Sequence, residues 1–438
     1  MKFLNLMRNY KITLGLIGLL LFGLIPSSIE AQVRIDSPYS RYGIGDLNNS
    51  NNAKTNAMGG LSFSISDANH INTNNPASYA ATDSGSFVFD AGFNGLLLES
   101  KSLSGNSESN YFNLAHLKVA MPITRWMRTS IGLMPYSTVG YDIRGSENVD
   151  SIGAVERRYT GDGGLNQFYM GLGFKIIKNL YVGVNASYIF GKGTYNRETI
   201  MPDQTNSFKV RASNQIDISS FYFDYGLQYK IRISDKKNDK LNNKRPQYLK
   251  LGLVYANKQN LSGALNSKAI TFTSGSDDFI FVKDTIYLVN GGDGDVVIPA
   301  KIGGGFSYYS GNKWMLGFDV KFQDWSQFEA FGYSDSLVSS IHYNIGGSYN
   351  IKGMNFRAGF RYFDSYLELK SHKINDYGIS FGVGFPLRQN KLTVSYVDLG
   401  FEFGRRGTTS DGLIQQDYFK ISLGITIRNT WFQRAKYQ

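Results

Sequence analysis

Residues 314–322, WMLGFDVKF, alternate strictly: Trp314, Leu316, Phe318, Val320 and Phe322 fall on one side of an extended chain, Met315, Gly317, Asp319 and Lys321 on the other. The same period of two runs through LYVGVNASYIF (180–190), FYFDYGLQYKIRI (221–233) and YFKISLGITIRNTWF (418–432). Strands of about ten residues or more suit a tilted membrane crossing better than the usual five or six. After residue 85 no stretch has the apolar length and helical period of a transmembrane helix.

The connections between these strands alternate in length. Tight ones occur at 122–126, 178–180, 310–313, 350–354 and 386–391, with a longer, basic sixth at 234–247. Longer polar ones are expected near 99–109, 141–165, 192–214, 261–298, 325–339, 365–373 and 404–417. Six and seven connections join fourteen strands, with short turns on one rim and long loops on the other, as in bacterial outer-membrane barrels. The pattern therefore predicts an all-β fold: a 14-stranded antiparallel transmembrane β-barrel of the outer membrane, with Trp314, Leu316, Phe318, Val320 and Phe322 facing lipid. Two features stay open. DDFIFVKDTIYLVN, within 261–298, forms a hairpin above the membrane or adds two strands, and LTVSYVDLGFEF (392–403) changes phase after Tyr396, where a bulge is expected.

The N-terminus reads as an export signal over 1–31. Lys2, Arg8 and Lys11 precede the apolar run Ile12–Ile25, and cleavage is expected after Ala31. The 438 residues contain no cysteine, which excludes a lipid anchor on that residue and any disulfide staple. Removing residues 1–31 leaves +9 of the formal charge of +11. No arginine-rich block or nucleic-acid motif accompanies that charge, so it belongs to surface and lumen, with no nucleic-acid partner. The next segment, 32–85, is rich in Asn, Ser, Gly and Ala and fits no strand pattern. A barrel of fourteen strands, 86–438, has a lumen too wide for its own side chains to fill, so this segment is expected to be an N-terminal plug, or hatch.

AMGGLSFSISDANHINTNNPASY (57–79) resembles the hatch of the FadL-like long-chain fatty-acid and hydrocarbon transporter family, in which a Gly-rich stretch leads to an Asn-Pro-Ala motif, here Asn75, Pro76 and Ala77. The stretch 296–328 is similar to the same family at Pro299, Ala300, Asp324, Trp325 and Ser326, and SPYSRYGIGDL and YTGDGGLNQFYMGLGF look like its Bacteroidota subset. The resemblance implies passive uptake of hydrophobic, fatty-acid-like molecules through a lateral opening, with outer-membrane lipid around the wall. On the strand register Lys321, Arg357 and Arg361 point inward and are placed either to anchor a carboxylate or to pair with Asp319, Asp364 or plug carbonyls.

Catalysis is not expected. His70, His116, His342 and His372 are scattered, with no H-x-x-x-H or G-x-S-x-G pattern. GDGG (161–164) and GGG (303–305) lack the lysine of a phosphate loop, and GGDGD (291–295) lacks the spacing of a calcium loop, so neither cofactor nor metal is implied. The rival reading is an accessory or scaffold subunit of an outer-membrane complex for protein secretion or barrel assembly, which holds other envelope proteins. The basic turn DKKNDKLNNKR (235–245) favours it.

Overall fold

Strands form where the period of two predicts them. The computed structural model describes residues 37–81, 86–103, 105–150, 152–203, 207–234, 245–274, 280–388 and 394–430; the export signal, most of the basic turn, and Trp431 and Phe432 lie outside the described residues. In chain order the long strands are β1 (Ser86–Ser102), β2 (Gly105–Pro122), β3 (Met127–Val149), β4 (Gly153–Ile177), β5 (Leu180–Ile200), β6 (Lys209–Arg232), β7 (Gln247–Ala256) and β8 (Gln259–Ser274). They continue as β9 (Ile280–Ile298), β10 (Lys301–Ser310), β11 (Trp314–Asp324), β12 (Ser339–Ile351), β13 (Met354–Asp364), β14 (Asp376–Arg388), β15 (Val394–Arg406) and β16 (Gln415–Thr430).

Every pairing is antiparallel, and β16 returns to β1 from Ser86↔Thr430 to Lys101↔Gln415, which closes the wall. Fourteen strands make the circumference, because β7 pairs directly with β10 from Lys301↔Ala256 to Ser310↔Gln247. β8 and β9 rise from that junction as a hairpin, and β8 pairs with the upper half of β6, from Lys209↔Phe272 to Ile218↔Gly263. The stretch 261–298 thus adds height rather than girth.

Two expectations are corrected here. Most of 141–165 and 192–214 is strand, not loop: β3 to β6 continue well past the lipid band. Above that band neither face meets lipid, so the period-two signal fades while the backbone ladder persists. Nor does β15 carry a bulge, since its register with β14 and β16 is unbroken. Tyr396 instead faces inward, its ring 5.5 Å from that of His70, so one aromatic lumen residue imitates a change of phase.

The two faces of the wall follow the alternation. Leu316 and Phe322 are exposed on the outside, while Met315 and Asp319 are buried within. Residues 37–81 are surrounded by the wall, bonded to strands on opposite sides, and contain short helical turns at Pro38–Arg41, Ala53–Asn56 and Pro76–Tyr79 and a two-residue strand at Asp46–Leu47. Above them the loops 325–338, 365–375 and 407–414 fold over the lumen. Trp325, Phe328, Leu337, Tyr366, Leu367 and Leu413 pack there with Tyr39 and Ile44 into a buried apolar cap. The Asp-Trp-Ser turn builds this cap: Asp324 Oδ1 accepts from Ser326 Oγ (2.7 Å) and Ser339 Oγ (2.8 Å), which aims Trp325 onto Tyr366 at 4.8 Å between rings.

Candidate functional site

The lumen is organised by what its wall leaves out. Gly183 and Gly226 face the 3-10 turn at Pro76–Tyr79, and Gly346 and Gly359 face Met58 and Gly59; a Cβ at any of the four would run into the N-terminal segment. Small wall residues therefore let that backbone come close. Asn75, fully buried, does two jobs. Its Oδ1 accepts from Ala77 N–H at 3.1 Å and caps the turn, while its Nδ2 donates to the carbonyls of Phe63 (2.7 Å), Leu227 (3.2 Å) and Leu253 (3.3 Å). The Asn-Pro-Ala motif is thus an anchor onto β6 and β7.

Charge fixes the segment further. Lys54 pairs with Asp67, whose Oδ2 lies 3.1 Å from His70 Nδ1; His70 Nε2 lies 2.7 Å from Asp398 Oδ2, and Asp398 Oδ1 accepts from Arg357 Nη1 at 2.5 Å. Burial by itself would lower the pKa of His70, but the Asp398 carboxylate and the hydrogen bonds to Asp398 and Asp67 outweigh it and raise the pKa above its usual value. Burial would raise the pKa of Asp67; Lys54 and His70 hold it well below the usual carboxylate range. On β11, Asp319 Oδ2 accepts the backbone N–H groups of Ser62 (2.6 Å) and Phe63 (2.8 Å). On the far side Lys118 donates to Thr73 Oγ1 at 3.0 Å, and Asn185 Nδ2 to Thr73 O at 3.1 Å.

Of the predicted site residues, Arg357 is committed to Asp398, with both side chains essentially buried. Arg361 binds Glu402 Oε1 (2.5 Å) and Asp376 (3.0 Å to Oδ2), with Tyr418 beside it. The expected partners are corrected: Asp319 serves the N-terminal segment and Asp364 pairs with Lys373. Both arginines on β13 reach across β14 to carboxylates on β15. They pass over the inward glycines Gly378 and Gly384, where a Cβ would meet Glu402 in one case and Arg357 with Asp398 in the other. Sequence reasoning missed Asp376, Asp398 and Glu402; the alternate glycines of GISFGVGF were the available signal.

Lys321 alone of the three predicted residues stays open. It makes no hydrogen bond or ion pair among the described residues and lines a cavity of about 130 Å³ with Lys301, His342, Asn344, Arg361 and Asp224. That cavity is polar and small, suited to water or a small anion rather than an alkyl chain. Among the described residues no group of three His, Cys, Asp or Glu side chains could hold a metal ion.

The wall also has a seam. β2 pairs with β3 only from Leu117↔Leu133 to Pro122↔Arg128, which leaves the upper edge of β3 without β2. The N-terminal segment covers that edge from inside: Asp46 and Leu47 pair with Thr138 and Ser137, Asn48 N–H donates to Tyr136 O (2.9 Å), and Ser37 N–H to Gly140 O (2.8 Å). Backbone groups that β2 abandons are thereby satisfied.

Solved structures share this architecture at low identity. A FadL homologue of Pseudomonas aeruginosa is 12% identical over 89% of this chain and 100% of its own, with a TM-score of 0.56. The toluene transporter TodX of P. putida is 15% identical over 90% and 100%, with a TM-score of 0.53, and the toluene transporter TbuX of Ralstonia pickettii 14% over 87% and 98%, with 0.54. Likeness at that identity establishes the fold, a closed antiparallel β-barrel like theirs. No curated protein matches the sequence. The sequence model of one family, BamG, matches residues 15–438, nearly the whole chain, and the protein therefore belongs to the BamG family.

Proposed function

We propose that this chain is a closed FadL-type barrel that works in the outer membrane as a non-enzymatic, non-transporting accessory subunit of a protein complex. Residues 1–31 serve as the export signal, 32–85 as the plug and 86–438 as the barrel. The observation that carries the reading is the filled lumen. The plug is tied to the wall by the His70–Asp398 and Asp46–Arg406 ion pairs, the outer end is closed by an apolar cap, and a cavity between them is mostly polar. A route for a greasy molecule needs continuous apolar space, which this arrangement does not offer.

The second reading, passive uptake of hydrophobic, fatty-acid-like molecules, is supported by the β2–β3 seam, where displacement of residues 37–48 would join lumen to lipid. Lys321 would then be the remaining cation for a carboxylate, since Arg357 and Arg361 are already paired. Native mass spectrometry of the full-length protein, extracted from its own outer membrane in mild detergent, separates the two. A stoichiometric complex with other envelope proteins and no bound amphiphile is expected. A lone barrel carrying a hydrophobic ligand would overturn the accessory reading in favour of uptake.

A further inference from the structure

The outward side chains mark where lipid ends. On β6, Phe221, Phe223 and Tyr225 face out, whereas the outward positions above them are Ser219, Asp217, Gln215 and Ser213. β5 changes in the same way, from Tyr188 and Phe190 to Lys192, Thr194 and Asn196. β8 pairs with β6 only at and above Ile218, so the β8–β9 hairpin stands in the extracellular space. Its register sets Val289 opposite Ser267, and Ser267 opposite Asn214, roughly 20 Å along the strand above Phe221.

There β9 reverses the rule for a water-facing strand. Phe281, Val282, Ile286, Tyr287, Leu288 and Val289 are each 44–59% exposed, and every residue from Ile280 to Gly291 is exposed. β8 covers one edge of β9, and on the other edge only Val296 and Val297 have a strand partner among the described residues, at Ala330 and Glu329. Six large side chains at about half exposure, spread over both faces of the strand, present several hundred Å², within the roughly 300–600 Å² of the largest, often functional, apolar patch on an ordinary monomer and a large share of the roughly 800 Å² that each partner brings to a standard interface. Lipid does not reach this height.

We infer that the β9 stretch 280–291 docks into an apolar cleft on the extracellular part of another outer-membrane protein, an inference that rests on the accessory reading above. Three features define the occupant. Both faces and one edge of β9 are bare, so the covering surface is concave; a second copy paired edge to edge would leave the faces in water. Register shifts at Val282/Asp284, Thr285/Tyr287 and Val289/Gly292 break the edge into short pieces, so the contact is made by side chains rather than by an added strand. The neighbouring charges Lys283 and Asp284 cancel, so the cleft is apolar rather than charged.

A photoreactive residue at position 287 of the full-length protein in its native membrane, with Glu108 on the β1–β2 hairpin as the control position, tests this. Expected is a crosslink from 287, and not from 108, to an apolar extracellular peptide of a protein that also appears in the native complex. Its yield should fall about tenfold in F281S/I286S/L288S, as loss of buried apolar contacts predicts. A heat-modifiable gel shift like that of the wild type shows that the variant's barrel is folded; were it unfolded, the peptide crosslinked by the wild-type chain would decide. Crosslinks to lipopolysaccharide alone, to a second copy of the chain, or equally from both positions would overturn the inference. So would a yield unchanged by the triple substitution. A native complex that persists without any hairpin crosslink overturns this inference and leaves the accessory reading standing; absence of the complex in the wild type overturns that reading itself.

Discussion

At the scale of single residues, the N-terminal segment depends on one histidine between two carboxylates. The pKa of His70 is raised in the folded protein, so its imidazolium contributes stability in full below about pH 6.5, the unfolded value, and that contribution is lost as pH rises through the raised folded value. Asp67 works the other way: its depressed pKa contributes above the unfolded carboxylate value, and the loss comes only in strong acid. Of these two groups, only His70 changes charge over the range upward from about pH 6.5. Hydrogen exchange of residues 66–72 should quicken as pH rises through that range, beyond the intrinsic base-catalysed increase, and H70Q should show only the intrinsic trend; equal slopes would remove His70 as the titrating anchor. Arg357 sits one step deeper. Its replacement in R357A leaves buried Asp398 with His70 as its remaining charged partner, which should cost toward the lower end of about 3–5 kcal/mol and appear as a lower unfolding temperature of the wall together with faster exchange at His70. Were Arg357 instead a free ligand anchor, R357A would leave both unchanged.

At the scale of elements, the glycines of the wall decide where the N-terminal segment can lie. Gly359 on β13 touches the backbone of Met58 and Gly59, and Gly346 on β12 flanks the same residues. G359V should retain the strand ladder and cost about 1–3 kcal/mol through overpacking. Limited proteolysis should then cut within 37–81, where the wild type resists; resistance in both would mean that the N-terminal segment tolerates a shift at this contact. The outer face of these strands was legible in the sequence, because lipid imposes one rule on every second residue: the alternation in 314–322 and 221–233 gave both the strands and their outward sides. The inner face obeys no such rule. Its residues answer to a separate stretch of chain, so Tyr396 looked like a bulge, and the carboxylates Asp398 and Glu402 that hold Arg357 and Arg361, two strands and about forty residues away, could not be read from spacing. Above the lipid band, polar residues on both faces disguised β3 to β6 as loops. The Asn-Pro-Ala and Asp-Trp-Ser motifs were visible as patterns, whereas their work as a wall anchor and as the base of the apolar cap required the fold.

At the scale of the whole molecule, the seam between β2 and β3 is where the two readings diverge physically. A barrel that passes hydrophobic molecules sideways must lift residues 37–48 from the edge of β3, breaking the pairs Asp46↔Thr138 and Leu47↔Ser137. A closed accessory barrel never needs that motion. Leu47 and Ser137 are directly opposed across an antiparallel pair, where Cα atoms stand about 4.5–5.5 Å apart, within the range a disulfide spans. Because the chain contains no cysteine, L47C/S137C introduces the only thiols, and oxidation can lock this seam alone. With the bond formed, the accessory reading expects the native complex and the growth of cells dependent on this protein to match those of the reduced form. Loss of function on oxidation, restored by reductant, would show that the strap must move, and would reassign the barrel to transport through its wall.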